Sequence, residues 1–128
     1  MKENIERNEW TDYFQRFSAR NMSRLTRLEV FGEFGAQEEE HGMLFKGIAI
    51  NGRYSERPSI EIMLGGPETS RTGHLTHVIP EVQQITPKRD EYGRDEALEI
   101  ISGNGDRNLL RFEPKATLAS VASQAQST

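Results

Sequence analysis

The sequence predicts an α+β domain, mainly β, with an N-terminal helix packed on a curved antiparallel sheet or small barrel of about six short strands. Three observations lead to this fold class. Aromatic residues recur with helical spacing near the start of the chain, and apolar residues then alternate with a period of two. The links between the alternating runs are too short for helical crossovers, which favours antiparallel pairing.

Residues 8–20 are predicted to form the helix. Asn8 is a suitable N-cap, because its side-chain oxygen can accept a backbone N–H. Asn21 can adopt the left-handed conformation that ends a helix. One stripe of this helix carries four aromatic residues, and we expect it to be buried because exposing large rings to water is unfavourable. These residues are Trp10, Tyr13, Phe14 and Phe17.

Short alternating runs follow the helix and predict the strands. The runs are 27–30, 44–50, 60–64, 75–79, 97–101 and 109–113. The segment Gly103–Asp106 predicts a hairpin between the last two strands. Pro80 and Pro87 confine their segment to a sheet edge, a bulge or a strand start, because proline cannot donate to a ladder. Several charged residues of these runs are expected to face outward and to discourage random edge pairing. They are Arg27, Glu29, Glu61, Glu99 and Arg111.

The chain divides into three parts. Residues 1–7 are predicted to be an N-terminal arm, residues 8–114 a single β-rich domain, and residues 115–128 a flexible tail rich in Ala, Ser and Gln. Leu118 and Val121 keep helical spacing in the tail, so the alternative is a segment that orders against a partner or another copy.

Composition excludes several classes of function. The chain has no Cys, which removes disulfides, thiolate metal sites and thiol nucleophiles. A net charge of −4 argues against broad nucleic-acid binding, although a local basic patch stays open. No apolar run is long enough for a membrane span, and the first residues do not resemble a signal peptide, so we expect a cytoplasmic protein without a membrane partner.

Enzyme chemistry finds little support. No nucleophile elbow, zinc-protease helix motif or phosphate-binding loop is present, so we expect no catalytic residue, cofactor or metal. His41 follows the acidic run Glu38–Glu40, a weak metal-binding pattern. His74 and His77 are three residues apart on a predicted strand and should point to opposite faces. The acidic pairs near Gly93, Asp90-Glu91 and Asp95-Glu96, are expected to be solvated.

A basic track suggests binding. Arg16, Arg20, Arg24 and Arg27 lie along and beyond the helix, and arginine holds carboxylates well. We expect Arg16, Arg20 and Arg24 to contact an acidic partner. His74 is expected to add a polar contact near a turn. The leading function is a non-catalytic binding or assembly module, acting on a protein partner or by self-association. The alternatives are an RNA-binding small barrel and, third, a minor hydrolytic or metal-dependent enzyme.

The segment Glu9–Ser18, with its Glu-Trp and Arg-Phe-Ser, resembles the opening of a family of small uncharacterised bacterial proteins, a domain of unknown function. Segments similar to that family continue through residues 6–113, and they include Ile60–Gly65, His74–Pro80 and Asp95–Ile100. The resemblance implies a bacterial, cytosolic protein of one compact domain and carries no activity. The order of elements also resembles SH3-like and Sm-like barrels, which does not license a function.

Overall fold

A computed structural model describes residues 4–32, 35–52, 54–66 and 73–114. The predicted tail, 115–128, lies outside these described residues. A short 3-10 turn (Arg7–Glu9) leads into the helix α1 (Trp10–Asn21). Seven strands follow: β1 (Leu25–Gly32), β2 (Gly35–Asn51), β3 (Ser59–Gly65), β4 (His74–Ile79), β5 (Val82–Arg89), β6 (Asp95–Ser102) and β7 (Arg107–Phe112).

The strands form one open antiparallel sheet in the order β4-β3-β2-β1-β7-β6-β5. Its two edge strands, β4 and β5, are joined only by Pro80 and Glu81, so the edges meet at this end and the sheet must curl. His77 Nε2 on β4 lies 3.2 Å from Asn108 Oδ1 on β7, four strands away in the sheet order. The sheet is therefore strongly curved, as predicted, but its ladders do not close into a barrel.

The strand prediction was short by one. The strand β5 was missed because Pro87 interrupts its pattern, although the prolines were correctly confined to an edge: β5 is an edge strand and Pro80 lies in the link before it. The hairpin at Gly103–Asp106 is confirmed between β6 and β7. The strand β2 is longer than predicted because its first part pairs with β1 and its second part with β3.

The helix prediction is confirmed in place, and both predicted caps are wrong. A 3-10 turn occupies the region of Asn8, and the helix begins at Trp10 without a side-chain cap. Asn21 stays helical, and the left-handed conformation falls to Ser23 (φ 66°). Asn21 is instead buried, with its side chain committed to a polar cluster described below.

The core lies on the concave face of the sheet and is covered by the helix. Trp10, Phe14 and Phe17 are buried there as predicted, whereas Tyr13 is partly buried at the margin of the core. Phe17 packs against Phe45 of β2 and Phe112 of β7, with ring centroids 5.6 Å apart in both pairs. These aromatic contacts join the helix to both halves of the curved sheet.

Two polar contacts fix the helix on opposite arms of the sheet. Ser18 Oγ accepts a hydrogen bond from the backbone N–H of Ile48 on β2 at 3.0 Å. On the other arm, the Trp10 indole donates to the backbone oxygen of Ile5 at 2.9 Å, and the Ile5 N–H donates to Ile85 O of β5 at 2.9 Å. In the described part of the chain, no helix has the length and apolar character needed to cross a membrane.

Candidate binding groove on the outer face of the sheet

A row of four outward side chains crosses β1, β7, β6 and β5. Arg27 pairs with Arg111, Arg111 with Ala97, and Ala97 with Lys88. Leu28, Leu110 and Leu98 follow or precede Arg27, Arg111 and Ala97 in their strands and are buried in the core, so alternation places the row on the convex face. The row therefore presents three cations around one small apolar residue.

The floor of this region is apolar and shielded. Leu109 is only 3% exposed and Ala97 only 5% exposed, although both belong to the outward face. A surface cavity of about 400 Å³ opens above them. Its lining includes the three cations of the row together with the carboxylates Glu96 and Glu113. We call this concavity the outer groove.

The register sets like charges opposite each other in the outer groove. Arg27 and Arg111 are direct cross-strand partners, an arrangement that is destabilising in a sheet. Acidic neighbours offset it: Arg111 Nε lies 2.8 Å from Glu29 Oε1, and Arg27 Nε lies 3.7 Å from Glu113 Oε1. The Arg111 side chain is nevertheless 55% exposed, so its guanidinium faces solvent over the groove.

A buried carboxylate supports the next row. Glu99 is 2% exposed and receives Arg107 at 2.5 Å, with Lys88 Nζ at 3.8 Å. Glu99 and Leu109 are cross-strand partners, so the ion pair lies directly beside the apolar floor. The groove thus combines charged walls with a shielded apolar base, which can hold a ligand that is both charged and partly apolar.

The predicted arginine track divides between two places: Arg27 lines the outer groove, whereas the other three arginines lie at the helix. Arg16 is exposed and pairs with Asp12 at 2.9 Å, as its spacing predicted. Arg20 binds Asp95 with two hydrogen bonds, from Nε at 2.8 Å and from Nη2 at 3.2 Å. Arg24 donates to Asn21 Oδ1 and to the backbone oxygen of Asp95, both at 2.8 Å. Within the described residues, the prediction that this track binds an acidic partner stays a prediction.

Asp95 is the centre of this polar cluster, and the expectation that it is solvated is wrong. Its carboxylate is buried, and it also accepts a hydrogen bond from Asn21 Nδ2 at 2.9 Å. Burial by itself raises the pKa of Asp95, but the hydrogen bonds from Arg20 and Asn21 outweigh it, so the pKa is lowered. Burial lowers the pKa of Arg24, whose guanidinium lies over the Phe112 ring with 4.4 Å to its centroid. The cluster ties the end of the helix to the start of β6.

The histidines do not converge. His74 and His77 point to opposite sides of β4 as predicted: His74 is exposed on the outer face, whereas His77 turns inward to Asn108. His74 packs against Gly65, its cross-strand partner, together with the Lys46 side chain. A Cβ at position 65 would lie 3.3 Å from His74 Nδ1 and 2.9 Å from Lys46 Cε, so the glycine leaves room for both side chains. In the described ranges, no group of His, Asp and Glu is arranged to hold a metal, and the His41 side chain lies outside them.

The outer groove was missed as a site because its residues are far apart in sequence. The alternation correctly marked Arg27 and Arg111 as outward residues, but nothing local shows that they are opposite one another. The groove forms because β1, the first strand, pairs with β7, the last strand of the described chain.

Fold and groove define a small α+β protein, mainly β, with a helix-covered concave face and a charged concavity on the convex face. Residues 1–121 match DUF5335, a family of unknown function, and the chain belongs to that family. No match was found among curated proteins or among solved structures.

Proposed function

We propose that the protein is a non-catalytic binding module whose outer groove holds an acidic, partly apolar segment of a partner protein. One observation carries the proposal: the cross-strand pair Arg27 and Arg111 lies over a shielded apolar floor. Glu29 and Glu113 offset the repulsion between these two cations, and the Arg111 side chain is still 55% exposed, so it can hold a further carboxylate. A carboxylate-bearing segment with apolar side chains satisfies both the rim and the floor.

The size of the groove favours a short peptide segment, rather than a large rigid surface, as its partner. A volume of about 400 Å³ falls in the range of sites that accept a few side chains. The acidic residues Glu96 and Glu113 on its margin would reject a segment of uniform negative charge, and they favour one whose carboxylates are spaced by apolar residues. We also propose a cytoplasmic location, which is compatible with a chain that has no Cys and therefore no disulfides.

The test uses a short synthetic peptide of alternating Glu and Leu, with a Lys and Leu peptide as its charge-reversed counterpart. We expect the acidic peptide to shift the amide resonances of Ala97 and Leu109 in a nuclear magnetic resonance titration, and the basic peptide to leave them unchanged. Equal shifts with both peptides, or none at millimolar acidic peptide, would refute the proposal.

A charge reversal in the groove sharpens the test. Arg111→Glu should weaken binding of the acidic peptide about tenfold or more, equivalent to about 1.4 kcal/mol. Arg57→Glu is the matched control, because it makes the same change of net charge at an exposed position, paired with Glu81, that does not line the groove. We expect Arg57→Glu to retain binding. If both variants lose binding equally, only the net charge of the chain matters and the groove has no specific role.

The RNA-binding alternative receives no support from the helix. Trp10, Phe14 and Phe17, the rings that could have stacked on bases beside the arginine track, are buried in the core. The exposed aromatic residues of the described chain are Tyr54 and Tyr92, which lie in separate turns.

A further inference from the structure

The two edges of the sheet differ in how they are protected. The N-terminal segment covers the edge at β5, where the Ile5 N–H donates to Ile85 O and the Thr86 hydroxyl bonds to Asn4 Oδ1 at 2.7 Å. Pro87 also removes one donor from this edge strand. On β4, by contrast, no described residue beyond β3 hydrogen bonds to the backbone.

The strand β4 also lacks the usual devices that prevent edge pairing. It pairs with β3 without a bulge from Gly65 and His74 to Ile60 and Ile79. Its sequence, His-Leu-Thr-His-Val-Ile, contains no Lys, Arg, Asp or Glu. Val78 is 51% exposed on its outer side. A regular edge without Lys, Arg, Asp or Glu and with an exposed apolar side chain is a template for another strand.

We infer that β4 pairs with β4 of a second copy, antiparallel about a two-fold axis, to form a sheet continuous through both chains. A two-fold axis normal to the sheet places the inner faces of both copies on one side and the outer faces on the other. A residue on the outer face of one β4 is therefore opposite an outer-face residue of the second copy, which means that the two residue numbers are both even or both odd. With Thr76 on the axis, Val78 lies opposite His74 of the second copy, and Leu75 lies opposite His77.

The chemistry of the edge favours an identical strand as the occupant. The strand has no Lys, Arg, Asp or Glu, and the proposed register sets each histidine opposite an apolar residue, so two copies meet without like charges opposite each other. Nor does β4 carry a charge pattern of the kind that selects an acidic or basic partner strand. The exposed Val78 is covered in this arrangement by a histidine ring. No described residue of β4 lines the outer groove, so dimer formation and groove binding can succeed or fail separately.

Sedimentation of the full chain over a range of concentrations tests the inference. We expect the mass to rise from 14.6 kDa towards twice that value, and Thr76→Lys to weaken the dimer about tenfold or more by placing two cations on the axis. Gln83→Lys, at an exposed position on the other edge strand, β5, is the matched control and should leave the dimer unchanged. Melting curves verify that both variants fold.

A thiol at the axis gives an independent readout, because the natural chain has no Cys. Thr76→Cys should form a disulfide-linked dimer on oxidation, since opposed residues of an antiparallel pair lie within the reach of a disulfide. Gln83→Cys should stay monomeric. A chain that is monomeric at every concentration, a dimer that does not cross-link through Thr76→Cys, or a dimer lost on removal of residues 115–128 would overturn the inference.

Discussion

Replacement of Asp95 by alanine tests the polar cluster that joins the helix to β6. The Asp95 carboxylate accepts two hydrogen bonds from Arg20 and one from Asn21. Asn21 is itself buried, with only 2% of its surface exposed. A hydrogen bond to a charged group contributes about 1.5–3 kcal/mol when buried, but water can replace the contact to Arg20, whose side chain is 42% exposed. We therefore expect Asp95→Ala to lower the free energy of unfolding by about 2–3 kcal/mol.

Denaturant and thermal unfolding followed by circular dichroism measure this loss. At about 4 °C per kcal/mol for a domain of this size, the melting temperature should fall by about 8–12 °C. Asp12→Ala removes an aspartate–arginine pair from the same helix, but both partners are largely exposed, so it should cost about 0.5 kcal/mol or less. Equal losses in the two variants would refute the reasoning that burial makes the Asp95 cluster important.

Three further outcomes are expected. Trp10→Ala should cost about 3–5 kcal/mol in chemical unfolding, because the indole is buried and also anchors Ile5; a change near zero would mean that the helix does not dock as described. Gly105→Ala should cost about 1–2 kcal/mol of stability, because Gly105 has a φ of +91° that alanine adopts unfavourably, although an added Cβ would meet no atom within 4 Å. Gly73→Ala is the control: its surroundings are equally open and its φ is not positive, so it should be neutral. Equal melting temperatures for the two variants would contradict this. The pKa of Asp95 is lowered in the folded state, so its contribution to the free energy of unfolding is complete above the ordinary pKa of 3.8 and is lost as the pH falls through the folded-state pKa. The natural chain should therefore lose more stability in acid than Asp95→Ala. Parallel curves of stability against pH for the two chains would count against this.

The features that depend on local spacing could be predicted from the sequence. The helical stripe of Trp10, Phe14 and Phe17 was identified because helical geometry brings those positions together whatever the rest of the chain does. The inward and outward sides of the strands followed from alternation in the same way. The N-terminal helix cap was harder to predict, because the 3-10 turn at residues 7–9 competes with a cap at Asn8.

The features that depend on register could not be predicted. Asp95 looks like any loop carboxylate until the fold places it against Arg20 and Asn21, about 75 residues earlier in the chain. Likewise, Arg27 and Arg111 are ordinary outward residues until β1 pairs with β7. Single-sequence patterns define which face a side chain occupies, but they contain no information on which distant strand lies beside it.

The position of β1 between β2 and β7 has a consequence for biosynthesis. The partner on one side is translated immediately afterwards, whereas the partner on the other is the final strand of the described chain. A nascent chain that has emerged from the ribosome only as far as β6 keeps the middle of its sheet exposed. Because such distant contacts form slowly, completion of the domain waits for release of the last strand, and chaperones have the greatest opportunity to bind during that interval.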